Sequence, residues 1–169
     1  MIKKIGVIIG RMNPLHLGHI KLIQTSLQNN DITIVILWSD GLYNENNPLT
    51  TQQRKDCIEF EFNSPNNLQI QAIVDTVTDK QWVELIAKQI PTTQTLTFYG
   101  GDFKNDSAIH AVKNYIDLLN TTDVRFIEIP RANLEISATE VRELIKNGNT
   151  KKALTKMWKL SGNMILKMI

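Results

Sequence analysis

Short runs of apolar residues alternate along this chain with segments in which apolar residues return every three or four positions. Ile5–Ile9, Ile32–Leu37, Leu68–Val74, Thr95–Tyr99 and Val124–Ile129 have strand length, and Ile32–Leu37 is rich in β-branched residues and apolar on both faces. Between them, helical spacing predicts helices over His19–Asn29, from Thr50 or Thr51 to about Phe62, and from Asp79 to Ile90, where Pro91 stops it. Further helices are predicted over Ala108–Leu119 and Ser137–Lys146, and one or two short ones over Thr150–Ile169. Ser39 to Pro48 is polar, with Asp40-Gly41 and Asn46-Asn47-Pro48, and reads as a loop. Strands that alternate with helices imply an α/β fold, with a parallel sheet of five or six strands and helices on both faces. Such sheets take ligands beyond the carboxyl ends of their strands, where the strand order reverses.

The totals narrow this picture. A length of 169 residues suits a single domain, 1–169, with a real core. A net charge of +2 gives no reason to expect nucleic acid or a membrane surface as partner. A phosphate site must then come from local placement. The single cysteine, Cys57, excludes an internal disulfide framework and reads as a small apolar helix residue. No run approaches membrane-spanning length and the N-terminus lacks a cleavable leader, so the expected location is cytoplasmic.

Candidate chemistry concentrates in Gly10-Arg11-Met12-Asn13-Pro14-Leu15-His16-Leu17-Gly18-His19, directly behind the first predicted strand and ahead of the first predicted helix. A strand that ends at a glycine turn and feeds a helix offers free backbone N–H groups and a positive dipole end to an anion. Two of the chain's three histidines, His16 and His19, fall in this turn, and Gly18 between them leaves room for a ligand to approach the backbone. Spacing alone leaves surface histidines at a helix start an even alternative. Two histidines without fitting Cys or carboxylate partners make a poor zinc site, and no metal ligand is named.

This stretch resembles the His-x-Gly-His signature of the nucleotidyltransferase superfamily. In its longer form it is similar to the nicotinamide mononucleotide adenylyltransferases of archaeal type, and to the adenylyltransferase half of bacterial enzymes that fuse this domain to a Nudix hydrolase. No second, Nudix domain is visible in the chain. The resemblance implies a Rossmann-like nucleotidyltransferase fold. Ile136-Ser137-Ala138-Thr139-Glu140-Val141-Arg142 resembles the superfamily's second motif, Ile-Ser-x-Thr-x-x-Arg, which binds the ATP phosphates. Read alone, Ser137 with Glu140 three residues later is a capping box. Pro48-Leu49-Thr50-Thr51-Gln52-Gln53-Arg54 resembles a Pro-Phe-Thr-x-x-Glu-Arg stretch, with Gln53 in place of Glu; Arg54 then stands near the phosphates, and without the resemblance it is a solvated helix residue. Asp75 and Trp82 have the spacing of a nicotinamide-binding pair, with core packing a serious competitor for Trp82. Asp79 stands where the archaeal enzymes tend to have Asn. Gly100-Gly101-Asp102-Phe103-Lys104 looks like the Gly-His-x-Lys stretch of the fused enzymes, with Gly101-Asp102 in place of the usual Gly-His, and its glycines would let backbone approach an adenine or ribose.

The resemblance implies transfer of AMP from ATP to nicotinamide mononucleotide, giving NAD and pyrophosphate without a covalent intermediate. His16, His19 and Arg142 are the implied catalytic residues. Gly10, Arg11, Gly18, Arg54, Gly100, Ser137 and Thr139 would serve ATP and its phosphates, and Asp75 and Trp82 the nicotinamide nucleotide. Mg2+ is expected as Mg-ATP, held mainly by substrate oxygens and water. Family members are often multimeric, so a homo-oligomer is possible. The same motif pair serves pantetheine-phosphate, flavin and cytidylyl transferases, and a nucleotide-binding sensor without turnover is the rival from another class.

Overall fold

The computed structural model describes residues 3–91, 95–121, 123–130, 137–157 and 159–168. Five strands make one all-parallel sheet in the order β3-β2-β1-β4-β5, with β1 Lys4–Gly10, β2 Ile32–Leu37, β3 Leu68–Ala72, β4 Thr95–Gly100 and β5 Val124–Glu128. The alternation of runs and helical segments dictates this. Strands β1 to β4 are each followed by a crossover containing a helix, which returns the chain to start the next strand in the same direction. β1 lies between β2 and β4, with Ile8 opposite Val35 on one side and Tyr99 on the other. The strand order therefore reverses at β1 and β4, whose carboxyl ends are Gly10 and Gly100.

The helices are α1 Leu17–Asn29, α2 Thr51–Phe62, α3 Asp79–Gln89, α4 Ser107–Asn114, α5 Ala138–Lys146, α6 Thr150–Lys156 and α7 Lys159–Met168. The chain divides into two compact units. One comprises Met1–Gly10, Leu22–Asp40 and Asn67–Pro130, and the other Arg11–Lys21, Gly41–Asn66 and Arg131–Ile169.

The first unit holds the sheet. Ile5, Val7, Ile34, Ile36, Leu96 and Phe98 line one face and pack with Val83 and Ile86 of α3 and Ile109 and Val112 of α4. Each such side chain, removed from water, contributes about 1.5 to 3 kcal/mol. On the other face α1 lies close against β1. Ser26 and Thr33 share a hydroxyl hydrogen bond of 2.8 Å, and Asn30 donates to the Tyr99 hydroxyl at 2.9 Å. A Cβ on Gly6 would fall inside Ser26 Oγ and 2.6 Å from Asn30 Nδ2.

In the second unit α2 packs on α7, and α6 packs on both α5 and α7. A capping box starts α2: Thr50 Oγ1 accepts from Gln53 N–H at 3.2 Å, and Gln53 Oε1 accepts from Thr50 N–H at 2.9 Å. The same helix buries Arg54, Cys57 and Ile58.

Most boundaries shift by a residue or two from expectation, and three boundaries and one cap differ in ways that matter locally. Helix α1 starts at Leu17, not His19, because His16 caps it. β3 ends at Ala72 rather than Val74, although Ile73 N–H still donates to Leu37 O at 2.9 Å. The expected helix over 108–119 breaks at Tyr115 (φ −124°, ψ 35°), and a 3-10 turn, Ile116–Leu119, follows. At the head of α5, Ser137 Oγ accepts from Glu140 N–H at 3.1 Å, but the Glu140 carboxylate sits 2.8 Å from Lys156 Nζ instead of returning to the cap. Among the described residues no helix is long and apolar enough to cross a membrane.

Candidate active site

The loop that follows β1 is buried from Met12 to His16. Met12 is 1% exposed and holds a left-handed backbone, φ 48°, an uncommon conformation for a side chain of its size. Three later residues fix the loop. Asn13 Nδ2 donates to Leu49 O, and Leu49 N–H donates back to Asn13 Oδ1, both at 3.0 Å. Arg54 Nη1 donates to Arg11 O at 2.8 Å, and Arg142 Nη1 to Asn13 O at 2.7 Å. The segments around Arg54 and Arg142 thus meet on alternate carbonyls of the first motif. Each guanidinium is steadied from its own helix: Arg54 Nη2 donates to Thr51 Oγ1 at 2.9 Å, and Arg142 Nη2 to Thr139 Oγ1 at 3.1 Å.

Arg54 is 1% exposed, so the solvated reading of it is excluded. Arg142 is half-buried. Burial, and after it the positive charge of Arg11, hold its pKa below the usual arginine value. Two guanidiniums that repel each other beside a helix start make a place for a polyanion, whose charge would offset that repulsion.

The histidines are set by their own turn. Gly18 N–H donates to His16 Nδ1 at 3.1 Å, and Ile20 N–H to His16 O at 3.1 Å. A ring nitrogen that accepts an N–H carries no proton, so the neutral His16 ring presents its hydrogen on Nε2. The His16 and His19 rings stack with centroids 3.7 Å apart and planes 24° from parallel. Gly18 is required by this geometry, since a Cβ there would stand 2.9 Å from His16 Cε1 and 3.0 Å from Nδ1. In the same unit Glu45, Pro48, Thr139, Arg142 and Lys146 border a cavity of about 600 Å³, within the range of small-molecule sites.

In the sheet unit, Asp75 and Trp82 line one cavity of about 180 Å³ with Trp38 and Asp79. Trp38 and Trp82 meet edge to face, centroids 6.3 Å apart. Both also pack against the core, so pocket and core readings of Trp82 hold together. Asp75 is pinned by Ser39, whose N–H donates to Oδ1 at 3.1 Å and whose hydroxyl donates to Oδ2 at 3.0 Å. At Gly100 the free space is taken by the chain itself: a Cβ would lie 2.5 Å from Phe103 Cε1. Ser137 and Thr139 lie at the start of α5 as expected, while Ile136 of that motif is outside the described residues.

Sequence reasoning passed over Asn13, Ser39 and Trp38. A tryptophan one residue beyond an apolar strand, at its carboxyl end, was the available signal for Trp38. Asn13 and Ser39 act through backbone contacts to residues 36 positions away, which no local pattern reveals.

A parallel sheet whose first strand runs into an arginine-tied loop, with two stacked histidines at the next helix start, defines the α/β domain. The chain belongs to the cytidylyltransferase-like family, whose model matches residues 7–144. It is 28% identical over 148 residues to the nicotinamide/nicotinic acid mononucleotide adenylyltransferase of Acinetobacter baylyi, covering 84% of this chain and 75% of the relative. Among solved structures it is similar to the bifunctional NMN adenylyltransferase/ADP ribose pyrophosphatase of Francisella tularensis, with a TM-score of 0.67 and 24% identity. That match covers 88% of this chain but only 43% of the longer protein. It is also similar to the Plasmodium falciparum nicotinic acid mononucleotide adenylyltransferase, with a TM-score of 0.62, 15% identity, and coverage of 98% of this chain and 95% of that one. The structural likenesses carry the fold.

Proposed function

We propose that this chain is a nicotinamide-nucleotide adenylyltransferase. A 5′-phosphate oxygen of the mononucleotide attacks the α-phosphorus of ATP in line. The new P–O bond forms as the bond to the β-phosphate bridging oxygen breaks, and pyrophosphate leaves. The nucleophile is already anionic, so no general base is needed; catalysis is positioning plus charge stabilisation. The observation that carries the reading is the pair of guanidiniums, Arg54 and Arg142, that hold alternate carbonyls of the loop leading into the stacked histidines.

In this reading His16 and His19 donate to the α-phosphoryl group, and Arg142, with Arg11, holds the β and γ groups. Arg54 serves the phosphates from beneath the loop. Thr139 orients Arg142, and Ser137 and the start of α5 supply backbone donors. Gly10, Gly18 and Gly100 contribute backbone groups. Asp75 and Trp82 receive the nicotinamide nucleotide. Among the described residues no group of three or more His, Cys, Asp or Glu side chains could hold a metal ion. Mg2+ would enter on ATP, neutralising its phosphates; a solved relative, the Francisella tularensis enzyme, is complexed with AMP and a manganese ion. A buried, unpaired Cys57 fits a cytoplasmic place of action.

The test is to incubate the protein with ATP, Mg2+ and a panel of phosphorylated acceptors, following pyrophosphate release and the adenylylated product. NAD formation supports the reading. Turnover only with pantetheine phosphate, a flavin mononucleotide or a polyol phosphate replaces the acceptor, and nucleotide binding without any pyrophosphate makes the chain a sensor.

A further inference from the structure

A cavity of about 410 Å³, within the range of small-molecule sites, lies over β4 and β5 on the side of the sheet that carries α1. Alternate residues of a strand share a face, so Thr97 and Tyr99 of β4 and Arg125 of β5 line it, while Leu96 and Phe98 turn to the core. Thr97 stands opposite Arg125 in the strand register. Lys4 and Thr95, the first residues of β1 and β4, also line the cavity. It therefore reaches the amino end of the sheet, the end opposite to Gly10 and the first motif. Two buried hydroxyls here have bonding capacity to spare. Thr97 is 7% exposed, and its hydroxyl has no hydrogen-bond partner among the described residues. Burying a hydroxyl without a partner is unfavourable, and valine would fill the same space without that cost. Tyr99 is 3% exposed; its oxygen accepts from Asn30 Nδ2 at 2.9 Å, which leaves its own hydrogen to offer. Arg125 spends Nε and Nη2 on Asp123, at 3.1 and 3.2 Å, and keeps Nη1. Among the described residues no carboxylate lines the cavity. The negative end of α1 is answered from within: Asn29 Nδ2 donates to Thr25 O at 2.7 Å and Asn30 Nδ2 to Ser26 O at 2.9 Å. Both amide oxygens remain as acceptors.

We propose that this cavity is a second binding site, for a small anion that carries hydroxyl groups. Its phosphate or carboxylate head meets Arg125 and Lys4 and takes hydrogen bonds from the Thr97 and Tyr99 hydroxyls. Its own hydroxyls donate to the amide oxygens of Asn29 and Asn30. The site shares no lining residue with the first motif or with the cavity beside Arg142, so it stands whether or not the chain transfers adenylate.

The test is a titration of the 15N-labelled protein with ribose 5-phosphate and, separately, with tartrate, followed by NMR. The expected result is a saturable shift of the Thr97 and Arg125 backbone amides and of the Asn29 and Asn30 side-chain amides. Saturation by ribose 5-phosphate alone assigns a phosphate head and by tartrate alone a carboxylate head, and either supports the site. Thr97→Val and Arg125→Gln should each weaken binding at least about tenfold, the usual cost of a hydrogen bond to a charged group. Thr97→Val should also melt at or above the wild-type Tm without ligand, because it removes an unpartnered hydroxyl. A lower Tm would mean that the hydroxyl is already satisfied, which overturns the proposal. So would the absence of saturation with both probes, shifts confined to the turn from His16 to His19, or an affinity unchanged in both variants; the cavity then holds water only. Line broadening over β5 that grows with protein concentration would make this face a contact between copies, and it too overturns the site.

Discussion

At the scale of single residues, the turn from His16 to His19 works by crowding. Gly18 touches the His16 ring so closely that one methyl group must displace it. Gly18→Ala is expected to melt within a few degrees of the wild type and to lose at least about tenfold in turnover, because a donor moved by 1 Å loses most of its alignment. Melting and NAD formation on one sample check this. His19→Ala carries no capping role and should fold normally while losing on the order of a hundredfold or more in rate, the usual cost of one charge-stabilising donor. Near-wild-type turnover would remove His19 from the chemistry. Arg142 differs from both because it has two jobs. It ties Asn13 O and, in the proposed function, holds the triphosphate. Arg142→Lys keeps the charge but cannot span Asn13 O and Thr139 Oγ1 at once, so KM for ATP should rise more than KM for the mononucleotide.

At the scale of elements, α2 is a lever that delivers Arg54 to the loop. Its capping box accounts for Gln53 where the related motif has Glu, since either side chain can return to the Thr50 N–H. Thr50→Ala should cost about 1 kcal/mol of stability, read by denaturant titration. The same helix buries Cys57, whose thiol is pushed up to about 12 by burial and secondarily by Asp56. A raised folded value means that the thiol's contribution is fully present below the unfolded value of about 9, and is lost as pH rises toward 12. Wild-type stability should thus fall between pH 8.5 and 10.5 by more than that of Cys57→Ala. Thiol reagents at pH 8.5 should label Cys57 only as fast as the chain opens.

Element type and order were legible in the sequence because the runs Ile5–Ile9 and Ile32–Leu37 are apolar on both faces, which only a covered parallel strand explains. The boundary of α1 was not, because its cap is a histidine ring, outside the usual Ser, Thr, Asp and Asn signals. The helix over 108–119 breaks where Tyr115 leaves helical backbone, a point that the apolar spacing does not mark.

At the scale of the whole molecule, ligand binding should be visible in global stability. If ATP binds the folded chain alone, saturation to about 100 times Kd adds about 2.7 kcal/mol, which appears as a higher Tm in wild type and a smaller rise in Arg142→Ala. The first motif was legible as a contiguous ten-residue string. What it hid was three-dimensional: Arg54 and Arg142 reach the same loop from 43 and 129 residues away. Local spacing could flag those arginines only through resemblance, and could not say that they hold backbone carbonyls.

The tight seat of α1 on β1 has a consequence for how such a chain can drift. Gly6 lies inside β1, outside the motif that begins at Gly10, and it touches no group assigned to chemistry. Yet a side chain there collides with Ser26 and Asn30, so either those side chains turn away, at the cost of the Ser26–Thr33 bond, or α1 lifts, the helix whose first turn carries Gly18 and His19. Two mutational histories that look independent are thereby coupled. Position 6 can vary only if 26 and 30 shrink first, so Gly6→Ala in the present background should fail to accumulate as folded protein, while Gly6→Ala combined with Ser26→Gly should recover it in part. Silence at a site of no apparent function would then be the record of a mechanical constraint, passed along one rigid rod.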